Sequence, residues 1–283
     1  MYSYAEWTDE QASTTVTVDG HDLDVAYFEA GEGNDDPVVF LHGIPTNSYL
    51  WRHAAPALAE SRHVVVPDML GYGNSSMVDR FDRSIRAQEL MVEELRSTLG
   101  LDRVSLVGHD LGGGVFLRYA CHHTDHVEKL VLSNSVAYDS WPIQLITDLG
   151  LPETVRETSV GELQETLDDL FRGTLYGDPA DADEAFVEGM KTPWASEEGV
   201  TSLVRAAVST NTSHTTEVDP SDVAAETLLL WGANDEFQSI EWAERLASDV
   251  PDAELVGLDE ANHWVPEDRP EAYTEHLRRF LLE

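Results

Sequence analysis

Along the chain, short apolar runs alternate with segments of helical period. "PVVFLHG", "HVVVPD", "VSLVGH", "VEKLVLSNS", "ETLLLWG" and "AELVGLDEA" are near-continuous apolar stretches, the pattern of strands buried on both faces of a parallel sheet. Between them the spacing predicts helices over about 49–60, 84–100, 112–124, 239–249 and 267–282. Two β-rich runs come first, "TTVTVDG" and "DLDVAYFEAG", and the Asp19-Gly20 pair between them predicts a hairpin. The whole predicts an α/β fold with a mostly parallel, doubly wound sheet. The alternation breaks between "SNSVAYDSW" and "TLLLWG", where helical patterns run on without a convincing strand. A structureless loop of that length is uncommon in a compact domain. About 139–217 is therefore expected to form a helical lid, inserted into a core domain made of 1–138 and 218–283.

Charge changes this picture. The 283 residues carry 54 Asp and Glu against 17 Lys and Arg, a formal net charge of -37, and the only lysines are Lys129 and Lys191. Nucleic acid is excluded as an expected partner, since little here would neutralise a phosphate backbone. Such acidity marks either a disordered chain or a solvated surface suited to concentrated salt. Hydrophobic residues at 42% and seven tryptophans argue for a folded core. At roughly 1 M salt the Debye length is about 3 Å, which screens the self-repulsion of such a surface. The reading is a halophilic protein. A single cysteine, Cys121, excludes an internal disulfide and fits a reducing compartment, as a packing residue on a helix. With no basic-then-apolar start and no run long enough to span a bilayer, no membrane partner is expected and the location is read as cytoplasmic.

The chemistry centres on "VGHDLGG". Asp110 follows the strand "VSLVG", precedes the helical "GGGVFLRYACHH", and is flanked two residues away by Gly108 and Gly112. That spacing matches a nucleophile elbow, a sharp strand-to-helix turn at which only small neighbours fit. An Asp capping a helix N-terminus is the plain structural alternative. Further along, "LLLWGANDEF" puts Asp235 just past a late strand, and "DEANHWVPEDRP" puts His263 before the final helix. The order nucleophile, acid, histidine is that of a hydrolase triad. Asp235 has acidic rivals in Glu236 and Asp259, and Asn234 is adjacent.

A carboxylate at the elbow selects the reaction. Serine attacking a saturated carbon would form an ether, which a histidine-activated water does not open. Aspartate attacking the same carbon forms an alkyl ester, and water then attacks the carboxyl carbon of Asp110 itself. His263 would activate that water, with Asp235 orienting the imidazole. A lid would exclude bulk water, because a solvated carboxylate is a poor nucleophile.

Together "FLHGIPTNSYLWR", "VPDMLGYGNSS", "VGHDLGGG" and "NHWVPEDRP" resemble the haloalkane dehalogenase and epoxide hydrolase branch of the α/β-hydrolase superfamily, nearer to the dehalogenases in the first phrase. The resemblance implies Asp110 as nucleophile, His263 as base and Asp235 as supporting acid, with the backbone N–H groups of Ile44 and Leu111 at the oxyanion. Asn134 stands where some dehalogenases carry the acid. Dehalogenases hold the halide with a tryptophan after the nucleophile and a polar residue after "HG". Here these positions are Leu111 and Ile44, whose side chains donate no hydrogen bond. Lid-side donors to the leaving atom would then be Trp141 or Trp194 for a halide, and Tyr138 or Tyr176 for an epoxide oxygen. Fluoroacetate dehalogenases carry arginines after the nucleophile; Leu111 and Gly114 stand there here, which disfavours an acidic substrate.

The expected activity is that of a haloalkane dehalogenase acting on a small neutral organic substrate and water, with an epoxide hydrolase as the alternative. A non-catalytic ligand-binding member of the same fold is the third reading. No cofactor is implied: no metal-ligand spacing is present, and "GHDLGGG" lacks the Lys-Ser/Thr ending of a phosphate loop. The charge imbalance makes a prediction of its own. The melting temperature should rise from dilute buffer to concentrated potassium chloride, and an unchanged value would contradict the salt-adapted reading.

Overall fold

In a computed structural model, which describes residues 1–174 and 182–283, the chain folds around one eight-stranded sheet. The strands are β1 (Gln11–Val18), β2 (His21–Ala30), β3 (Val38–Leu41), β4 (Val64–Pro67), β5 (Val104–His109), β6 (Val127–Ser133), β7 (Glu226–Gly232) and β8 (Ala253–Leu258). Their spatial order is β1-β2-β4-β3-β5-β6-β7-β8. β1 and β2 pair antiparallel, as do β2 and β4, and the remaining pairs are parallel. Strands β3, β4 and β5 are buried throughout, as their apolar runs require when helices cover both faces. At the hairpin, Asp19 and Gly20 both take positive φ, 48° and 80°, the two-residue turn whose twist matches the flanking strands.

The described helices are α1 (Tyr4–Asp9), α2 (Ala54–Ala59), α3 (Ile85–Thr98), α4 (Leu111–His122), α5 (Gln144–Leu149), α6 (Pro152–Glu157), α7 (Val160–Thr174), α8 (Glu184–Lys191), α9 (Glu197–Val208), α10 (Ser213–Thr216), α11 (Ile240–Asp249), α12 (Val265–Asp268) and α13 (Pro270–Leu282). Between β6 and β7 the described residues hold helices and no strand. The expected final helix over about 267–282 is two helices instead. Arg269, at φ -136° and ψ 57°, leaves the helical region immediately before Pro270, as the ring of the following proline demands. Sequence periodicity also missed α1. Its six residues are too few for a period, but Ser3 and Glu6 form a capping box at its start. Its Trp7 stacks on Phe28 at 4.0 Å and donates to Ser48 Oγ at 3.0 Å.

β3 is neighboured by β4 on one side and β5 on the other, so the chain reverses its direction of travel across the sheet there. The crevice outside the carboxyl ends of strands at such a point is where open α/β sheets bind ligands. The loops after β3, β5, β6, β7 and β8 supply Ile44, Asp110, Asn134, Asp235 and His263 of the candidate site. One buried cluster ties the inter-strand helices to that end of the sheet. Arg52, 2% exposed, donates to Glu267 on α12 at 2.6 and 3.2 Å, to Asp183 at the start of α8 at 2.9 Å and to Tyr49 Oη at 3.1 Å. Among the described residues no helix is long and apolar enough to cross a membrane.

Candidate active site

Asp110 sits between β5 and α4 with φ 52° and ψ -117°, a conformation a non-glycine residue holds only when its surroundings force it. Those surroundings lack side chains by necessity. A Cβ on Gly112 would run into the carbonyl of Leu41, and one on Gly43 would run into the Asp110 carboxylate. The turn therefore lifts the carboxyl clear of the strand ends while the loop after β3 comes in against it. Asp110 occupies the N-cap position of α4 but makes no side-chain capping bond, so the capping alternative does not account for it.

The carboxylate is held by backbone donors. Ile44 N–H donates to Oδ1 at 2.8 Å, and Leu111 N–H also bonds the carboxylate. Oδ2 faces His263 Nε2 at 3.8 Å, too long for a direct hydrogen bond. On the far side of the imidazole, Nδ1 lies 2.8 Å from Asp235 Oδ2. Asp235 is held in turn: Asn134 Nδ2 donates to Oδ2 at 2.6 Å, Phe237 N–H donates to Oδ1 at 2.7 Å, and Asn134 Oδ1 accepts from Gly232 N–H at 3.0 Å. Asn134 thus buttresses the carboxylate beside it. Glu236, Asp259 and Asn234 are exposed, which leaves Asp235 as the acid at the imidazole.

Burial sets the electrostatics. It pushes the Asp110 carboxyl up to about 6, against the His263 charge and the two backbone N–H groups. Burial alone would push the His263 imidazole down, but the charge and hydrogen bond of Asp235, with the charge of Asp110, hold it above its ordinary value. Asp235 itself lies below the usual carboxylate value because the His263 charge and its bonds outweigh burial. His109 and His42 are fully buried and pushed down to about 3 and about 4. Both are neutral supports: His109 Nε2 meets the His263 carbonyl at 2.8 Å, and His42 Nε2 accepts from Met69 N–H at 3.0 Å.

Above Asp110 lies a small cavity bounded by Ile44, Trp141, Ile143, Phe237, Gln238 and His263, among others. Leu145, 42% exposed, also borders it and marks its outer rim. Of the expected lid-side donors that lie among the described residues, Trp141 is the one on this cavity, and its indole N–H has no hydrogen-bond partner among those residues. Two expectations are corrected. Trp194 is fully buried and its Nε1 donates to the Pro45 carbonyl at 2.9 Å, so it braces the loop after β3. Tyr138 is spoken for elsewhere, donating to Asp249 Oδ2 at 2.7 Å under a cap of Arg245. Tyr176 lies outside the described residues. Cys121 is half-buried on α4, with Sγ 3.4 Å from the Asp219 carbonyl, and burial pushes its thiol up to about 12, consistent with a packing residue. Gln238 was missed by sequence reasoning: nothing in "NDEFQS" distinguishes a buried glutamine from an exposed one.

Residues 36–270 match the family model described as alpha/beta hydrolase fold. The chain belongs to that family. A soluble epoxide hydrolase of Corynebacterium sp. (strain C12) is 42% identical over 123 residues, 41% of this chain and 42% of that protein, so the match spans less than half of either. Haloalkane dehalogenase 2 of Mycobacterium tuberculosis is 29% identical over 251 residues, 85% of this chain and 86% of its own. A solved thermophilic esterase from Thermogutta terrifontis, at 23% identity and a TM-score of 0.79 over 96% of this chain and 98% of its own, shares the fold. The chain is thus a hydrolase-family protein with dehalogenase and epoxide hydrolase relatives at modest identity.

The elevated carboxyl makes a prediction about stability. Because the folded-state value, about 6, exceeds the ordinary 3.8, Asp110 favours the fold when protonated, below 3.8, and that contribution is lost as pH rises through about 6. Asp110→Asn should therefore raise stability at pH 8, on the order of 1–3 kcal/mol, with the gain shrinking toward acid. Denaturant melts across pH check this; a variant less stable than the parent at pH 8 contradicts it.

Proposed function

We propose that the protein hydrolyses an electrophilic sp³ carbon through an alkyl ester on Asp110, and that its substrates are alkyl halides. One observation carries this reading: a buried carboxylate at the elbow takes backbone N–H bonds from Ile44, to Oδ1, and from Leu111, while its Oδ2 stands 3.8 Å from His263 Nε2 rather than in contact. Oδ2 attacks the carbon bearing the halogen, the carbon–halogen bond breaks, and halide leaves. Water then attacks the Asp110 carboxyl carbon. His263 Nε2 takes its proton, Asp235 stabilises the imidazolium, and the N–H groups of Ile44 and Leu111 stabilise the oxyanion. Collapse returns the carboxylate and releases the alcohol, and the His263 imidazolium gives up its proton, so that one proton leaves along with the halide. The gap between His263 and Asp110 leaves the base free to reach a water rather than the nucleophile.

The helices of 139–217 serve as the lid, with Arg52 fastening Asp183 to the end of the sheet. The halide reading is favoured by Trp141, which borders a mostly apolar cavity and whose indole N–H has no partner among the described residues. The epoxide reading loses one of its two tyrosines, since Tyr138 is bonded to Asp249. With Ile44 and Leu111 offering no side-chain donor, departing halide is weakly held. Bromides and iodides should be turned over ahead of chlorides, and chloride should inhibit little. A salt-rich, cytoplasmic setting fits both the charge and this weak halide site.

The test is a trapped intermediate. His263→Phe retains the nucleophile but lacks the base, so incubation with a bromoalkane should release one bromide per protein and add one alkyl group to the intact mass, with turnover at least about 10³-fold below the parent. Wild type should continue releasing bromide. Absence of an adduct with a substrate the wild type consumes contradicts the ester route, while diol formation from epoxides without halide release from any bromide moves the assignment to an epoxide hydrolase.

A further inference from the structure

Gln238 lies in the loop between β7 and α11, and its main chain is fixed from both sides. Its carbonyl accepts from Trp231 Nε1 at 2.8 Å, and its N–H bonds the Asp235 carboxylate. The residue is 1% exposed and borders the same cavity as Asp110, Trp141 and His263. Its Oε1 is fully buried with no hydrogen-bond partner among the described residues. A buried acceptor left unpaired is costly, and native structures keep one only for a reason.

We propose that the Gln238 carboxamide receives a hydroxyl group of the substrate, so that the preferred substrates are short halogenated alcohols rather than plain haloalkanes; this rests on the alkyl-ester reading above. The reasoning is one of matching donors and acceptors. A carboxamide offers an acceptor and two donors whichever way its oxygen and nitrogen are assigned. A halide or a hydrocarbon chain has no donor and would leave the acceptor unpaired. A hydroxyl both donates and accepts, and satisfies it. The rest of the wall is largely apolar, with Ile44, Ile143 and Phe237 to cover the carbon chain. Trp141 remains to receive the halogen, so Gln238 and Trp141 read the two polar groups of the substrate while Asp110 and His263 carry the chemistry. A site built around such a bond discriminates strongly against the analogue lacking it, because the protein's own polar group is then stranded.

The experiment compares bromoethanol, bromopropanol and bromobutanol, with halogen and hydroxyl at opposite ends, against the bromoalkanes in which a methyl replaces the hydroxyl. Bromide release gives kcat/KM for each, and product analysis separates enzymatic diol from chemical ring closure. Wild type should favour at least one bromoalcohol over its methyl partner by about tenfold or more, and Gln238→Met should reduce that ratio by roughly 10- to 100-fold. Because the ratio compares two substrates on one protein sample, partial loss of folded enzyme cancels. Equal or better use of the bromoalkanes by wild type, or a ratio unmoved in Gln238→Met, overturns the proposal, the acceptor then being satisfied by water alone, while the ester reading stands. No bromide release from any substrate overturns both.

Discussion

The turn at Asp110 constrains everything around it. A non-glycine residue at φ 52° costs roughly 1–3 kcal/mol, and this one is kept there by backbone packed so close that Gly43 and Gly112 have no room for a Cβ. That packing puts the loop after β3 against the start of α4 and aims two N–H groups at one carboxylate. The strand order places the contact where the sheet opens a crevice, between β3 and β5. The fold thus provides a rigid floor on which a carboxylate, a histidine and a second carboxylate, each from a different loop, stand in line.

The line is stabilised unequally along its length. Asp235 is fully supplied with donors and lies below the usual carboxylate value, whereas Asp110 takes backbone donors from Ile44 and Leu111 and burial pushes it up to about 6. The difference matches the roles proposed for them. A carboxylate that only supports an imidazolium is best when solvated by fixed dipoles, and a carboxylate that attacks carbon is best when one oxygen is left unsatisfied. His263, held between the two, is raised by both charges against its own burial. Stability is conceded at Asp110 and recovered in the surrounding bonds, a common division at sites of chemistry.

Much of this is legible in the sequence because it depends on local pattern. Apolar runs mark the strands β3 to β8, and glycines at fixed distances mark the elbow. What is not legible depends on direction and burial, which no residue type encodes. Trp194 and Tyr138 both lie in or near the inter-strand helices, yet one braces Pro45 and the other leaves for Asp249. The short helix Tyr4–Asp9 carries a capping box but no period. Gln238 stands in a polar loop, and only the folding of that loop buries its side chain beside Asp110. Pro270 signals the split of α12 from α13, but the apolar spacing continues across it and hides the break.

The ester on Asp110 is the central claim, and isotope transfer in a single turnover tests it most directly. Enzyme in excess over a bromoalcohol would be allowed one turnover in water enriched in oxygen-18. If Oδ2 attacks carbon and water then attacks the carboxyl carbon, the oxygen in the first product molecule comes from Asp110, so the diol carries ordinary oxygen. The heavy isotope appears in the peptide containing Asp110. Heavy oxygen in the first-turnover product, with an unlabelled Asp110 peptide, would mean that water attacks the substrate directly and that no ester forms on Asp110.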